Sequence, residues 1–214
     1  GHVDFTIEVE RSLRVLDGAL AVFCAVGGVE PQSETVWHQA DKYHVPKIAF
    51  INKMDRVGAD YHGIIRMMKE RFTSIPLPIQ IPCGSSETFQ GVIDLIGQKL
   101  ITWEEGTLGL SYATSELPPE MRTETETYRE RLIETLAEID DTIAEQYLEG
   151  TEIGEKDLIE SLRKATLSLK VVPVLCGTAL RNKGIQPVLD AVTQFLPSPE
   201  DIPPIEGINP VTKE

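Results

Sequence analysis

Four consecutive residues, Asn52-Lys53-Met54-Asp55, close an apolar run and carry chemistry that the run lacks. The run itself, Ile48-Ala49-Phe50-Ile51, is short and β-prone, as expected of a strand buried on both faces of a parallel sheet. Open α/β folds place their ligands at the carboxyl ends of such strands. A carboxylate there can accept two hydrogen bonds from a base that offers N–H groups side by side, as guanine does at N1 and N2 and adenine does not. Asp55 is the candidate for that role. Lys53 has a stem that can lie along the purine, and Asn52 can tie neighbouring loops together. The same four residues also suit an ordinary turn with a helix-capping Asp55. A second polar turn, Gly177-Thr178-Ala179-Leu180, follows the apolar run Val171-Val172-Pro173-Val174-Leu175-Cys176. On the same edge of one sheet, it could point a backbone N–H at the guanine carbonyl.

The elements that must position these turns are legible in order. Phe5, Val9, Leu13 and Leu16 recur at helical spacing and predict an amphipathic helix over 5–16. Residues 19–26 read as a buried strand that leaves through Gly27-Gly28. Pro31-Gln32-Ser33-Glu34 starts a helix with Val36, Trp37, Ala40 and Tyr43 turned inward. With the strand before Asn52 this makes a βαβ unit, for which a right-handed crossover is the rule. A helix over about 61–72 leads to an extended, proline-interrupted segment at 76–82, expected to form one more strand. Between 87 and 103 the pattern changes to short strands with glycine turns, the signature of a small antiparallel sheet. Pro118-Pro119-Glu120 then opens a helical stretch with Tyr128, Leu132, Leu136, Ile139, Ile143 and Tyr147 at spacings of three and four, which Asp140-Asp141 divides. Leu158, Leu162, Ala165 and Leu169 mark a further helix. The last, around 185–195, turns Val188, Leu189, Val192 and Phe195 to one side, and Pro197, Pro199, Pro203 and Pro204 form a stiff linker after it.

Charge separates these parts. Between Glu104 and Glu160 there are 17 Asp or Glu against 4 Lys or Arg, half of the chain's 34 acids, so this stretch is an acidic inserted module. The net charge of −14 over 214 residues argues against a chain-wide nucleic-acid footprint. Cys24, Cys83 and Cys176 lack metal-ligand spacing and are expected as buried reduced thiols; no metal site is expected from the residues present. His38, His44 and His62 show no ligand spacing either, Trp37 belongs to the core, and Trp103 is expected to pack the inserted sheet. No apolar run approaches membrane-spanning length, so the expectation is a cytoplasmic protein that does not contact a membrane.

On these residues the chain resembles the GTP-binding domain of translation elongation factor G with its inserted subdomain. Gly1-His2-Val3-Asp4-Phe5, the stretch from Val29 to Thr35, the run Asn52-Lys53-Met54-Asp55-Arg56-Val57-Gly58-Ala59-Asp60 and Val172-Pro173-Val174-Leu175-Cys176-Gly177 are all similar to that family's. The resemblance implies an α/β fold: a doubly wound, mostly parallel sheet of the P-loop GTPase kind, N-terminally incomplete, with an inserted α+β subdomain. Its expected parts are 1–83 and 169–197 for the core, 84–168 for the insertion and 198–214 for a linker. It further implies that Asn52, Lys53, Met54 and Asp55 bind guanine and that Gly177, Thr178, Ala179 and Leu180 form the second base loop, with Thr178 where the family commonly has Ser. Gly1 would offer its N–H to the γ-phosphate, and His2 would place the attacking water. No Gly-x-x-x-x-Gly-Lys-[Ser/Thr] occurs here, so the phosphate loop, the first switch and the ligands of Mg2+ are expected upstream.

The function so implied is a GTPase of ribosomal translocation, monomeric, binding GTP or GDP and meeting the ribosome at its stalk protein and large-subunit RNA. These 214 residues alone would not turn over. The alternatives are a non-catalytic ribosome- or stalk-binding module, and a specialised or recycling paralogue. An ATP-using P-loop enzyme is disfavoured by Asp55.

Overall fold

The computed structural model describes residues 6–202, except Glu105, Leu108 and Leu110. Two four-stranded sheets share one hydrophobic core. The first is parallel, with strands β1 (Ala19–Cys24), β2 (Lys47–Asn52), β8 (Val171–Cys176) and β3 (Ile75–Pro78) in the order β1-β2-β8-β3. The second is antiparallel, in the order β4 (Gln80–Cys83), β5 (Gly91–Asp94), β6 (Lys99–Trp103), β7 (Tyr112–Ser115). Lying between β1 and β8 explains why β2 is an unbroken apolar run.

Helices fill the crossovers. Those before the antiparallel sheet are α1 (Thr6–Leu13), α2 (Pro31–Lys42) and α3 (Tyr61–Arg71). After it come α4 (Arg122–Ala137), α5 (Asp141–Glu149), α6 (Glu155–Leu167) and, past β8, α7 (Ile185–Phe195). Trp37 of α2 stacks on Phe72 at 4.1 Å between ring centres, and Phe23 of β1 tilts against both, which packs α2 and the end of α3 on one face of β1. Asp140 caps α5 by accepting the Thr142 N–H at 3.0 Å, so the division expected at Asp140-Asp141 is where one helix ends and the next begins.

Several expectations are corrected. The first helix stops at Leu13, and Leu16 is solvent-exposed; Phe5 lies outside the described residues. β1 ends at Cys24 and is an edge strand among the described residues, and it is buried on one face only, since Leu20 and Val22 face solvent. Val36 and Leu189 point outward, at the edges of their apolar stripes. Cys24 is only half-buried, whereas Cys83 and Cys176 are buried; all three are free thiols, and burial pushes the Cys176 thiol far up. The segment at 76–82 is not one strand but two. β3 joins the parallel sheet, β4 joins the antiparallel one, and Ile79 between them donates to Val174 O and accepts from Leu95 N, both at 3.0 Å. β7 was not expected, since its four residues are all exposed and show no apolar alternation.

The end of α7 is held by Arg163 of α6. Its guanidinium donates to Gln194 O at 2.7 Å and Leu196 O at 3.0 Å and pairs with Asp201 at 2.6 Å. The Ser198 hydroxyl and amide, then Arg163, hold the Asp201 carboxyl below the usual carboxylate range. A depressed folded value means that this contribution is complete above the unfolded value of about 3.9 and is lost as pH falls below it. Asp201→Asn is therefore expected to flatten the acid limb of a stability-versus-pH curve below about pH 4 while leaving the neutral limb's slope unchanged. An unaltered acid limb would refute it.

Candidate nucleotide-binding site

The parallel register of β2 on β8, Ile51 against Cys176, brings both polar turns to one edge of the sheet. The strands' hydrogen bonding continues into the turns: Gly177 N–H donates to Ile51 O at 3.0 Å and Met54 N–H to Gly177 O at 3.1 Å. Asn52 then ties the two loops together. Its Oδ1 accepts the N–H of Lys53 at 2.8 Å and that of Ala179 at 2.9 Å. Accepting from its neighbour turns Lys53 into the left-handed region, φ 68°, and leaves its side chain exposed.

Asp55 sits at the focus with its side chain only 11% exposed. Oδ1 accepts the Thr178 hydroxyl at 2.8 Å, and Oδ2 pairs with Arg181 Nε at 3.2 Å. The carboxylate is thus aimed by a buried hydroxyl from the second loop and faces a cation whose own side chain is 61% exposed and free to leave. That loop is a closed unit. Thr178 and Lys183 exchange both backbone hydrogen bonds, at 2.9 and 3.2 Å, around a 3₁₀ turn at Ala179–Arg181. Gly177 is required there, since a Cβ would collide with Lys183 O.

Of the expected site residues, Asn52, Lys53, Asp55, Gly177, Thr178, Ala179 and Leu180 all lie at this edge. Met54 does not offer a side chain to it, being fully buried in the core. Leu180 is 82% exposed beside the loop, and the Ala179 N–H, a candidate donor to the guanine carbonyl, is given to Asn52. Gly1 and His2 lie outside the described residues. Among the described residues no three His, Cys, Asp or Glu are grouped to hold a metal ion.

Two residues were missed from the sequence. Arg181 stands just beyond the quoted turn; its signal was a cation closing a 3₁₀ turn. Gln186 of α7 joins the inserted hairpin to the core: its Oε1 accepts Trp103 Nε1–H at 2.9 Å, and its Nε2 donates to Gly109 O. Gly109 also packs directly on Asn182. Trp103 therefore packs the inserted sheet and anchors it to the core as well. Gln186→Leu leaves both partners unpaired and is expected to cost about 1–3 kcal/mol, read as a lower thermal midpoint with a shift in Trp103 fluorescence. Unchanged emission would show that Gln186 is not the joint.

The structure is thus an α/β domain in which two strand-end turns close around the Asp55 carboxylate at one edge of a parallel sheet. Residues 1–198 match the Elongation factor Tu GTP binding domain family, and the chain belongs to it. It is 67% identical over its 214 residues to Elongation factor G 2 of Syntrophus aciditrophicus (strain SB), covering all of this chain and 32% of that protein. The chain therefore spans about a third of that relative's length. A Thermus thermophilus protein of known crystal structure superposes with a TM-score of 0.82 at 29% identity, over 94% of this chain and 30% of that one. The fold is that of a GTPase domain with an inserted subdomain, and the chain is an elongation factor G homologue.

Proposed function

We propose that this chain is the base-recognising part of a GTPase that couples GTP hydrolysis to tRNA–mRNA movement on the ribosome. The observation that carries the reading is the convergence of Asn52, Thr178 and Ala179 on a turn that aims Asp55. Arg181 neutralises that carboxylate until guanine N1–H and N2–H replace it. Phosphoryl transfer needs positioning and charge stabilisation around the γ-phosphate. In this reading His2 places the attacking water, Gly1 donates to the γ-phosphate, and a phosphate loop outside these residues supplies the cradle and the magnesium ligands.

The insertion is proposed to start at Gln80, where the chain changes sheets, rather than at 84, and to end near α6, which packs on β8 and α7 of the core. Its acidic helices, around 124–160, are the proposed contact with the ribosomal stalk protein, the factor acting as a cytoplasmic monomer. Charge reversal there is expected to weaken stalk binding without altering GDP affinity.

Calorimetric titration of GDP, with ADP as control, tests the base assignment. In a protein that joins these residues to a phosphate loop, GDP binds and ADP does not; equal heats overturn the role of Asp55. The 214-residue chain alone is expected to show no multiple-turnover GTP hydrolysis, and robust turnover would overturn the assignment of the missing phosphate cradle.

A further inference from the structure

The loop between β6 and β7 lies directly on the base loop, since a Cβ on Gly109 would overlap Asn182. Between the two loops is a crevice of about 260 Å3. Leu180, Arg181 and Lys183 of the base loop form one wall; Trp103, Glu104 and Gly109 of the insertion form the other. Among the described residues of the lining, Glu104 supplies the carboxylate that the two cations face. Its backbone is fixed: the N–H donates to Ser111 O at 3.2 Å, and the carbonyl accepts the Thr107 hydroxyl at 2.9 Å. The residue is exposed, and its side chain makes no ion pair among the described residues.

Arg181 belongs to two places at once. Its Nε meets Asp55 Oδ2 at 3.2 Å, and the residue also lines the crevice opposite Glu104. Asp55 keeps Oδ1 on the Thr178 hydroxyl and has a side chain only 11% exposed, so a base that takes this carboxylate contends with Arg181 for what is left open. A guanidinium cannot give up its charge when it is displaced. Its stem is anchored on the 3₁₀ turn at Ala179–Arg181, which keeps the head within the crevice's reach. Water also solvates a side chain that is 61% exposed, so the pull of Glu104 is that of a surface ion pair, worth a few-fold in affinity.

We propose that Arg181 exchanges between two carboxylates: it holds Asp55, and when guanine takes that group it pairs with Glu104 of the insertion. The inference rests on the base-recognition reading of Asp55 and extends it. Arg181 becomes a positioning residue that reports base occupancy to the inserted hairpin. The coupling is reciprocal: whatever engages Glu104 sends Arg181 back to Asp55 and weakens guanine binding by the same factor.

Calorimetric titration of GDP into a protein that joins these residues to a phosphate loop tests the exchange, with ADP as control. Glu104→Gln changes an exposed residue and is tolerated by the fold. It is expected to lower GDP affinity about threefold. The direction is diagnostic, because removing an acid near an anionic nucleotide would otherwise raise affinity. In an Arg181→Met background the same substitution is expected to produce no fall, whereas Arg181→Lys, which keeps the charge, and Lys183→Met, which removes the other cation, retain it. Unchanged or tighter binding by the Glu104→Gln protein overturns the exchange. So does an equal fall in the Arg181→Met background, which would make Glu104 a structural residue, and so does a fall that Lys183→Met abolishes. An unsubstituted protein that binds GDP and ADP equally overturns the base reading itself, a result separate from all of these.

Discussion

Asp55→Asn is expected to exchange the base that the site accepts. Guanine presents two donors, at N1 and N2, and the carboxylate meets both with acceptors. The amide keeps one acceptor and replaces the other with an NH2 donor, which faces the N2 amino group of guanine donor to donor. A site built to pair a substrate's polar groups loses about 10⁴-fold or more when one is mismatched. Xanthine carries a carbonyl where guanine has its amino group, and that carbonyl accepts from the new amide. In a protein that includes the phosphate loop, competition calorimetry should therefore show GDP affinity falling by about that factor and xanthosine diphosphate gaining. Thr178 keeps a partner, because its hydroxyl can donate to the amide oxygen, whereas Arg181 loses its ion pair. An Asp55→Asn protein that still prefers guanosine diphosphate would mean that base identity is read elsewhere.

The largest expected effect on stability belongs to Arg129→Leu. This guanidinium donates to Leu95 O at 2.6 Å, Ile96 O at 2.7 Å and Ile153 O at 3.3 Å, three carbonyls on residues that are themselves buried. It staples the β5–β6 turn to the segment between α5 and α6, and leucine offers those carbonyls nothing. Bonds from a charged donor contribute about 1.5–3 kcal/mol each, and partial access of water to a half-buried side chain reduces the total to about 3 kcal/mol. For a domain of this size that is a fall of about 6–12 °C in melting temperature. Lysine recovers one contact at most, so Arg129→Lys should lie close to Arg129→Leu. A fall under about 2 °C in calorimetry would show that water satisfies the three carbonyls and that the staple is dispensable.

Elements buried by one continuous surface were the legible ones. The apolar run of β2, the stripe of α3 and the span of α7 all follow from periodicity, because each meets one uniform environment along its length. Periodicity failed where an environment changes midway. Nothing in Pro76-Leu77-Pro78-Ile79-Gln80-Ile81-Pro82 shows that the chain leaves one sheet for another, since no turn residue is needed to do so. β7 gave no signal because its four residues are all exposed and show no apolar alternation, and Val36 and Leu189 sit at the margins of stripes, where spacing cannot separate facing from flanking.

At the site, the two turns were readable because each stands at a strand end. Their cross-ties were not, since Arg181–Asp55 and Trp103–Gln186 join residues whose proximity only the fold decides. Gly1 and His2 rest on family resemblance alone. Residue chemistry makes no case for a catalytic histidine at that position.

The passage of the chain through Ile79 has a mechanical meaning. A module inserted through flexible loops would hang as a pendant, and pushing on it would only reorient it. Here a single residue is hydrogen-bonded to β8 on one side and to the end of β5 on the other, so the backbone has no slack between the sheets. The insertion is built as a bracket rather than a tether. A load on its outer helices reaches the strand whose end carries the base loop as displacement of that strand, and anything that stiffens the loop stiffens the bracket in return.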